Sequence, residues 1–358
     1  MSKDNLVGIA EIAVIAGVTK QAVSNWRVRY AHFPPPIQNL QSGPVWEREI
    51  AESWVKSYKG EQTHIISFIN QKGGVDQTKT VVAVAEILAQ EDRKHVLVID
   101  LDPQSDATVA LISEEKWEEM DKNGQTIPQL FEDRLYPQNE PKFNIEKAIV
   151  RSVSTIKDGI SRLDLLPSSI RLIEIQEKIP MMVALDDNFI NYPLEILRGA
   201  IQPVIDRYDY IIIDCPPNLG TVTKNALRIS TGYLIPAVPN IISTRGIYQI
   251  VSTVERLSQD IGRPILSLGI IATKVQSNVQ HSTFISDFKA GRLGRFREPG
   301  SLPQPPLLNS TIPLIVSAAC GADVNAEFRT LKEKYGNAYE ALYNITQEIR
   351  CICEKKTN

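Results

Sequence analysis

The sequence predicts an α/β fold, a doubly wound and mostly parallel sheet, preceded by a small domain of a different kind. Three apolar, β-branched runs, at residues 65–69, 96–100 and 210–213, are typical of parallel strands that are buried on both faces. Acidic or glycine-rich residues end these runs, at the carboxyl edge where open α/β sheets bind their ligands. The pattern before residue 60 is helical instead, so we predict domains at residues 1–60 and 64–358.

Residues 1–60 have the pattern of a winged helix-turn-helix domain. An apolar-periodic helix over 9–16 ends at Gly17, and Thr19 is positioned to cap a second helix over 20–30. The second helix combines amides and a hydroxyl, which suit base edges, with cations that suit phosphates, and it contains no acid. The predicted DNA-binding residues are Lys20, Gln21, Ser24, Asn25, Arg27 and Arg29.

The remainder of this segment supplies the predicted packing of the domain. The buried stripe of the second helix is predicted to be Ala22, Val23 and Trp26. A Pro-rich turn, a short hairpin or wing, and a helix with Ile50 and Trp54 directed inward follow, and residues 56–63 form the predicted linker. The segment resembles small winged modules of the MerR/excisionase kind. The alternative interpretation is a helical docking arm with a solvated basic face.

A glycine-rich segment follows the first strand of the predicted sheet. The sequence KGG at residues 72–74 stands between that strand and a helix predicted from Thr78. Strand, glycine-rich turn and helix form the arrangement in which backbone N–H groups and a helix N-terminus bind phosphate. Such a loop is expected to end in Gly-Lys-Thr, but here the same places hold Asp76, Gln77 and Thr78. The phosphate-binding cation has become neutral, and a glycine has become an acid.

Four motifs, in order along the chain, resemble those of the ParA/MinD family of ATPases with a deviant Walker A box. They are KGGV at 72–75, VLVIDLDPQSDAT at 96–108, YDYIIIDCPPNLGTVTKNA at 208–226 and LIPAVP at 234–239. The likeness covers about residues 64–350. It implies a P-loop NTPase fold, ATP and Mg²⁺ as cofactors, and a homodimer. It also implies a role in plasmid or chromosome segregation, through ATP-controlled dimerisation and DNA binding, with autoregulation of a partition operon.

The resemblance also assigns roles to individual residues. Lys72 resembles the signature lysine that reaches across the dimer to the phosphates, and Asp102 resembles the acid that positions the attacking water, so these two are the predicted catalytic residues. The predicted nucleotide-binding residues are Lys72, Gly73, Gly74, Val75, Asp76, Gln77, Thr78, Lys79 and Asn225. The predicted Mg²⁺ ligands are Thr78, Asp100 and Asp214.

The residues leave the catalytic activity open. The resemblance favours an ATP hydrolase, whereas Asp76 and Gln77 favour weak or absent activity, because one unit-charge contact at about 4 Å contributes about 4 kcal/mol at an effective dielectric of about 20. In an alternative register, Lys79 and Thr80 would serve as the Lys-Thr pair of a longer loop. The helix phase argues against it, because Thr78 in the Mg²⁺ position leaves the apolar residues of the helix in the expected places. These residues are Val82, Val84, Ala85 and Leu88.

The composition limits the cellular compartments and the binding partners that the protein is expected to have. The formal net charge of −3 argues against a uniformly basic nucleic-acid coat but is compatible with a local basic patch. No run of about 18 apolar residues occurs, so no membrane association is predicted. The four cysteines are predicted to be free thiols in a cytoplasmic, nucleoid-associated protein.

The expected partners are DNA and a ParB-like adaptor protein. DNA would be bound specifically by the N-terminal domain and non-specifically by the ATPase core, where Phe288 and Phe296 lie among cations in the loop 288–306. A solvated surface loop is the alternative interpretation of that segment. Two other functions stay open: a nucleotide-insensitive DNA-binding regulator on a degenerate ATPase scaffold, and a ParA-like positioner of a protein cargo.

Overall fold

The computed structural model describes most of the chain. The described residues are 6–29, 33–40, 43–58, 63–185, 192–292, 302–314 and 328–357. The chain forms two compact units: the N-terminal unit is Met1–Thr63 with Pro203–Asp209, and the sheet unit is His64–Gln202 with Tyr210–Asn358. None of the helices among the described residues is both long and apolar enough to cross a membrane.

The N-terminal unit combines three helices with a small antiparallel sheet. Its elements are β1 (Leu6–Val7), α1 (Ile9–Ala16), α2 (Lys20–Arg29), β2 (Gln38–Leu40), β3 (Gly43–Glu47) and α3 (Arg48–Tyr58). The strands lie in the order β1-β3-β2. Gly17, at φ 66, ends α1 in the left-handed conformation that glycine adopts without strain, and Thr19 Oγ1 accepts a hydrogen bond of 3.2 Å from the N–H of Ala22 at the start of α2. The positions predicted for both helices agree with these elements.

Three tryptophans form the centre of the N-terminal unit. Trp26, Trp46 and Trp54 are buried, and the rings of Trp26 and Trp54 lie 5.2 Å apart. The prediction that Ile50 points inward is wrong, since its side chain is 39% exposed. The core face of α3 is Ala51, Trp54 and Val55, at the i, i+3, i+4 spacing of one helix face, and Ile50 falls just outside it.

The predicted linker 56–63 is partly ordered structure. Helix α3 continues through Tyr58, and residues 59–62 lie outside the described residues. Thr63 Oγ1 donates hydrogen bonds to the carbonyls of Ile205 and Tyr208, at 3.1 and 2.9 Å. The segment 203–209 therefore belongs to the N-terminal unit, although it lies far along the chain from residues 1–63.

The sheet unit is built on a seven-stranded sheet. Its strands are β4 (His64–Phe68), β5 (Val96–Asp100), β6 (Leu163–Leu166), β7 (Tyr210–Asp214), β8 (Gly232–Ala237), β9 (Leu266–Val275) and β10 (Leu307–Pro313). They lie in the order β10-β9-β8-β4-β7-β5-β6, and neighbouring strands pair in parallel. The predicted fold class, a mostly parallel α/β sheet preceded by a small domain, is confirmed.

Helices flank this sheet and bury its apolar strands. They are α4 (Gln77–Gln90), α5 (Asp106–Leu111), α6 (Glu114–Lys122), α7 (Ile127–Leu135), α8 (Ile145–Ala148), α9 (Leu172–Leu185), α10 (Ile196–Ile201), α11 (Thr221–Ile229), α12 (Ile241–Ile261), α13 (Val279–Lys289), α14 (Leu331–Tyr335) and α15 (Tyr339–Thr357). Short 3₁₀ turns occur at Tyr192–Leu194, Ile205–Arg207 and Gly336–Ala338. The predicted apolar positions of α4, Val82, Val84, Ala85 and Leu88, are all buried.

The register of three neighbouring strands positions the candidate site. Phe68 at the end of β4 and Asp100 at the end of β5 both lie opposite Asp214, the last residue of β7. The loops that follow these three strands therefore emerge side by side at the carboxyl edge of the sheet. Helix α4 begins nine residues after β4, directly behind the glycine-rich loop.

Candidate functional site

A cleft of about 490 Å³ lies at the carboxyl edge of the sheet. Its walls are the glycine-rich loop, the segment after β5 and the segment after β7. The predicted site residues that line it are Lys72, Gly73, Gly74, Val75, Asp76, Gln77, Thr78, Lys79 and Asp102. The other lining residues are not among the predicted site residues: Pro103, Gln104, Asp106, Ile173, Cys215, Pro216, Pro217 and Asn218.

The backbone of the glycine-rich loop forms an open cradle. Gly74 has φ +74, and a Cβ added at Gly73 or Gly74 would meet nothing within 4 Å. Asp76, at φ 57, also adopts the left-handed conformation, directly before the first residue of α4. Glycine adopts that conformation freely, and aspartate adopts it more readily than most other residues. Position 76 therefore keeps the backbone conformation that a glycine would have there.

Gln77 is directed at strand β7 and its carboxylate. Its Nε2 donates hydrogen bonds of 2.7 Å to Asp214 Oδ1 and 2.7 Å to the carbonyl of Cys215. Two of the polar groups at the end of β7 are thereby satisfied by the residue that replaces the family's lysine. The sequence shows the substitution but does not reveal this contact, because the two partners lie 137 and 138 residues further along the chain.

Asp76 has a cationic partner on β9. Lys274 Nζ lies 3.5 Å from Asp76 Oδ1, and the Asp76 side chain is only 9% exposed. Lys274 itself adopts φ 52, so two non-glycine residues in the left-handed region face each other. Asp76 Oδ2 is buried and has no hydrogen-bond partner among the described residues. Sequence reasoning missed Lys274, and the only signal was a cation at the end of a strand that reaches the same edge.

Asp100 is a buried carboxylate that holds the segment after β5. Its Oδ2 accepts hydrogen bonds from the N–H and the hydroxyl of Thr108, at 2.9 and 2.7 Å, and its Oδ1 accepts one of 3.0 Å from the N–H of Asp102. Burial, followed by the nearby charge of Asp214, raises the pKa of Asp100. Both oxygens are thus satisfied by the protein, and Asp100 is not among the residues that line the cleft.

Asp214 keeps one oxygen without a hydrogen bond. Its side chain is fully buried and its Oδ2 has no hydrogen-bond partner among the described residues. Burial raises the pKa of Asp214, while hydrogen bonds from Gln77 and then Thr78 oppose the rise. A carboxylate oxygen without a hydrogen bond is the kind of oxygen donor that Mg²⁺ accepts, directly or through its waters.

Asp102 lies inside the cleft at the start of the segment after β5. Its Oδ1 accepts a hydrogen bond of 2.9 Å from the N–H of Gln104, and burial raises its pKa. The structure therefore brings Asp102 into the same cleft as Lys72 and Thr78. Its role in positioning a water stays a prediction.

Two residues argue for the register that places Thr78 rather than Thr80 in the cleft. Thr80 is fully buried, and its hydroxyl donates a hydrogen bond of 2.7 Å to the carbonyl of Asp76 in the preceding turn. Thr78 lines the cleft. The Thr80 hydroxyl is occupied by that bond and Thr80 does not line the cleft, so of the two threonines Thr78 is the better placed to bind a metal.

Asn225 lies apart from the residues that line the cleft. Its Oδ1 accepts a hydrogen bond of 3.1 Å from the N–H of Leu197, and its Nδ2 donates to the carbonyls of Pro193 and Thr221, at 2.6 and 3.0 Å. The amide is fully buried and joins α11 to α10 and to the 3₁₀ turn before it. In this arrangement the hydrogen bonds of Asn225 stabilise the fold.

The cleft matches a Mg²⁺–nucleotide in part. The open backbone cradle and Thr78 line the cleft and fit phosphate and metal, and the Asp214 oxygen without a hydrogen bond is buried beneath the lining. The lysine that would neutralise the phosphates is absent, and Gln77 holds the other oxygen of Asp214. Lys72 and Lys79 line the cleft and are its remaining cations within the described residues.

In the N-terminal unit, the predicted DNA-binding residues lie along α2. Lys20, Gln21, Asn25 and Arg27 are exposed, whereas Ser24 is half-buried and its hydroxyl donates a hydrogen bond of 3.1 Å to the carbonyl of Lys20. The guanidinium of Arg27 lies 5.2 Å from the centre of the Trp46 ring. The side chain of Arg29 lies outside the described residues.

The predicted basic loop 288–306 is only partly described. Phe288 belongs to α13 and is buried, so the expectation that its ring lies exposed among cations is wrong. Its place in the apolar face of a helix explains the difference. Arg292 is paired with Asp287 at 2.8 Å, and residues 293–301 lie outside the described residues.

The parallel sheet, the glycine-rich loop before α4 and the acids after β5 and β7 together define a P-loop type of domain. Residues 63–267 match the AAA_31 family, an AAA domain, and the chain belongs to that family. The resemblance to ParA/MinD-type ATPases is thereby confirmed at the level of family and fold.

Named relatives agree with this assignment. Soj, a sporulation initiation inhibitor protein of Bacillus subtilis, is 30% identical over 213 residues, which cover 60% of this chain and 73% of Soj. The chromosome partitioning protein ParA of Myxococcus xanthus is 29% identical over 221 residues, 61% of this chain and 68% of that protein. An uncharacterised Mycobacterium tuberculosis protein is 29% identical over 218 residues, and the chain spans only 60% of its length.

Solved structures share the fold. An ATP complex of a McdA variant from Cyanothece superimposes with a TM-score of 0.61 at 19% identity, covering 82% of this chain and 98% of that one. Cobyrinic acid a,c-diamide synthase from Mycobacterium smegmatis, with ADP and magnesium, has a TM-score of 0.56 at 24% identity, covering 80% and 93%. At these identities the likeness concerns the fold alone.

Proposed function

We propose that this chain is a ParA-type partition protein that segregates a plasmid or chromosome. In this proposal, ATP with Mg²⁺ binds in the cleft and controls dimerisation and DNA binding. The observation that carries it is the meeting of an open glycine cradle, the Thr78 hydroxyl, the Asp102 carboxylate and the buried carboxylate of Asp214 in and beside one cleft. The relation to Soj and to a chromosome partitioning ParA supports the biological role.

Each residue would have a definite task in the loaded cleft. The N–H groups of the loop 73–78 would bind the phosphates, and Thr78 and Asp214 would hold Mg²⁺, which neutralises phosphate charge. Asp102 would orient the attacking water. Lys72 would contribute its charge to the phosphates, and this task weighs more here because position 77 is neutral.

A second function is favoured by one specific observation. Gln77 and Lys274 already contact one carboxylate oxygen each, on Asp214 and Asp76, at the place where a nucleotide and its metal would bind. These two contacts help the loop to keep its shape without a ligand. The second candidate is therefore a nucleotide-insensitive DNA-binding regulator on a degenerate ATPase scaffold.

The partners of the proposed function follow from both units. The N-terminal unit, as a winged helix-turn-helix domain, would bind operator DNA through α2 and autoregulate a partition operon. The sheet unit would form the homodimer, contact DNA without sequence preference and receive a ParB-like adaptor. The protein would then act in the cytoplasm, in association with the nucleoid.

Calorimetry on the full chain, with a parallel DNA-binding assay, tests the proposal. We expect Mg²⁺-dependent heat of binding for ATP and ADP, little for AMP, which lacks the phosphates that the cradle would hold, and a change in DNA affinity when Mg²⁺–ATP is present. Operator binding that is unchanged by ATP, together with no heat for any nucleotide, would establish the regulator instead. Absence of both nucleotide and DNA binding would refute both functions.

A further inference from the structure

Three side chains form an exposed row on α2. Gln21, Asn25 and Val28 lie at the i, i+4, i+7 spacing, within about 60° of one another around a helix with 3.6 residues per turn. Gln21 and Asn25 are exposed, and Val28 is 90% exposed. We call this row the α2 stripe. The opposite side of the helix carries the buried Val23 and Trp26, so the packing of the unit fixes which face is presented outward.

The two amides of the α2 stripe are arranged as one unit. Gln21 Nε2 donates a hydrogen bond of 3.1 Å to Asn25 Oδ1. With that bond made, Gln21 Oε1 and Asn25 Nδ2 have no other hydrogen-bond partner among the described residues, and they present one acceptor beside one donor. The major-groove edge of adenine presents the complementary pair, the N6 amino donor and the N7 acceptor.

Val28 continues the stripe with an apolar surface. Its side chain packs on almost nothing in the protein, and valine is a weaker helix former than alanine, so neither packing nor helix propensity accounts for it. The one apolar group that base pairs expose in the major groove is the 5-methyl group of thymine. An exposed valine three residues beyond an amide is therefore well suited to contact thymine in the same groove.

Charge complementarity identifies the occupant of this face as a nucleic acid. Helix α2 contains Lys20, Arg27 and Arg29 and no acid. Lys20 and Arg27 are exposed on the same flank of the α2 stripe, about 110° and 130° from its centre. Cations on the flank of a helix that enters the major groove meet the phosphate backbone, while the central row meets the bases.

We propose that the α2 stripe recognises A·T base pairs in the major groove, with the amides of Gln21 and Asn25 on adenine and Val28 against the thymine 5-methyl group. This rests on the proposed DNA binding by the N-terminal unit and adds the base composition of its site. Ser24 takes no part in this readout, because its hydroxyl is turned back to Lys20. Arg27, whose guanidinium lies near the Trp46 ring, contacts the DNA phosphate backbone in this proposal.

Replacing thymine by uracil removes only the 5-methyl group and gives a direct test. The full chain is first used to select a preferred site from random duplex DNA. Each thymine of that site is then replaced by uracil, and affinities are measured for the wild type, Val28→Ala and a control, Val279→Ala. Val279 is 83% exposed on α13 of the sheet unit, so it matches Val28 in chemistry and exposure.

We expect the selected site to contain A·T pairs. Uracil at one of its thymines should lower the DNA affinity of the wild type and of the Val279→Ala control about fourfold. This factor corresponds to the ~0.8 kcal/mol of one buried carbon. In Val28→Ala, which keeps the helix because alanine is a better helix former, that uracil effect should disappear. Equal uracil effects in the wild type and Val28→Ala would overturn the inference but leave DNA binding intact.

Two further outcomes also count against the inference. If Val28→Ala keeps the wild-type uracil profile but loses association with another protein, the face binds a protein. If no preferred duplex is selected at all, specific DNA binding by the N-terminal unit fails, and the inference fails with it. The uracil substitutions are measured only after a preferred site has been selected. A failure of specific DNA binding is therefore distinguishable from a failure of the A·T inference.

Discussion

Gln77 Nε2 lies 2.7 Å from Asp214 Oδ1 and donates a hydrogen bond to it. The residue at the place of the phosphate-binding lysine is thus joined to the carboxylate at the end of β7, which the resemblance assigns to the metal. A second contact, between Asp76 and Lys274, compensates the acid at the neighbouring position. The two departures from the family's loop are therefore matched by two contacts within the protein, and the loop keeps its cradle shape.

Restoring the family's residues should restore nucleotide binding. In the variant Asp76→Gly with Gln77→Lys, the acid is removed from the phosphate site and a cation is returned to it. We expect Mg²⁺–ATP affinity to rise about 10²–10³-fold, equivalent to roughly 3–4 kcal/mol, and turnover to rise with it. Calorimetry and phosphate release measure the two effects.

The single variants separate the two contributions. Asp76→Gly alone relieves the left-handed backbone of Asp76 but also removes its ion pair with Lys274, so denaturation without nucleotide measures the balance of the two effects. Equally tight ATP binding in the wild type and the double variant would contradict the prediction and favour the register in which Lys79 supplies the cation.

Removing Lys274 should destabilise the protein through Asp76. In Lys274→Met, the largely buried carboxylate loses its cation, and we expect the free energy of unfolding to fall by about 1–3 kcal/mol. Denaturant unfolding measures the loss. In the background Asp76→Gly, the same Lys274→Met change should cost much less, because no carboxylate is left unpaired, and equal costs in both backgrounds would show that the pair is not coupled.

The buried aspartate pair predicts a specific dependence of stability on pH. The pKa values of Asp100 and Asp214 are raised above the ordinary 3.8, chiefly by burial, so the folded state binds protons more tightly than the unfolded state. Stability from this pair is therefore fully present below about pH 4 and is lost as pH rises toward the raised values. We expect wild-type stability to fall between pH 5 and pH 8, in the absence of Mg²⁺.

The variant Asp214→Asn tests this assignment. Asparagine keeps an oxygen for the hydrogen bond from Gln77 and removes one of the two buried charges, so its unfolding free energy should fall less between pH 5 and pH 8. Glu195, which Arg228 holds in an ion pair at the surface, offers a comparison, because Glu195→Gln should leave the fall unchanged in this range. A pH profile of Asp214→Asn that parallels the wild type would contradict the prediction.

Sequence patterns predicted the parts of this protein that depend on local periodicity. The buried runs of β4, β5 and β7 and the apolar face of α4 follow from residue spacing alone. The direction of Gln77 and the partner of Asp76 could not be predicted in this way, because both contacts join residues that are distant in sequence. Ile50 shows the same limit at short range, since one residue of helix phase decides between core and surface.

For Asn225, the family resemblance predicts a role at the nucleotide but does not predict where the side chain points. The residue stands at the expected position in the motif, but the backbone of Leu197 and Pro193 surrounds its amide and satisfies it. Those two partners precede Asn225 by about thirty residues in a segment outside the four motifs. Its role at the nucleotide therefore stays a prediction.

Asp102 should be required for turnover and dispensable for binding. In the restored background, Asp76→Gly with Gln77→Lys, the further change Asp102→Ala should leave Mg²⁺–ATP affinity within a few-fold while abolishing phosphate release, because Asp102 would act on the water. Asp102→Asn is the matched control, since it keeps an acceptor for the N–H of Gln104. A lower melting temperature with unchanged turnover in Asp102→Ala would instead assign a structural role.

Cations and amides of α2 should have separable effects on DNA binding. Lys20→Ala removes an exposed charge on the flank of the helix, so it should weaken all sequences alike and reduce the slope of log affinity against log salt by about 1. Gln21→Ala removes an amide of the α2 stripe, so it should cost about 1–3 kcal/mol at the preferred site only and leave the salt slope unchanged.

Point substitutions are preferable to deleting residues 1–60, because segment 203–209 belongs to the same compact unit and would lose its packing. Titrations of a preferred and a random duplex at several salt concentrations distinguish the two effects. A sequence-specific loss in Lys20→Ala, or a uniform loss in Gln21→Ala, would reverse the orientation of α2 on DNA that we infer.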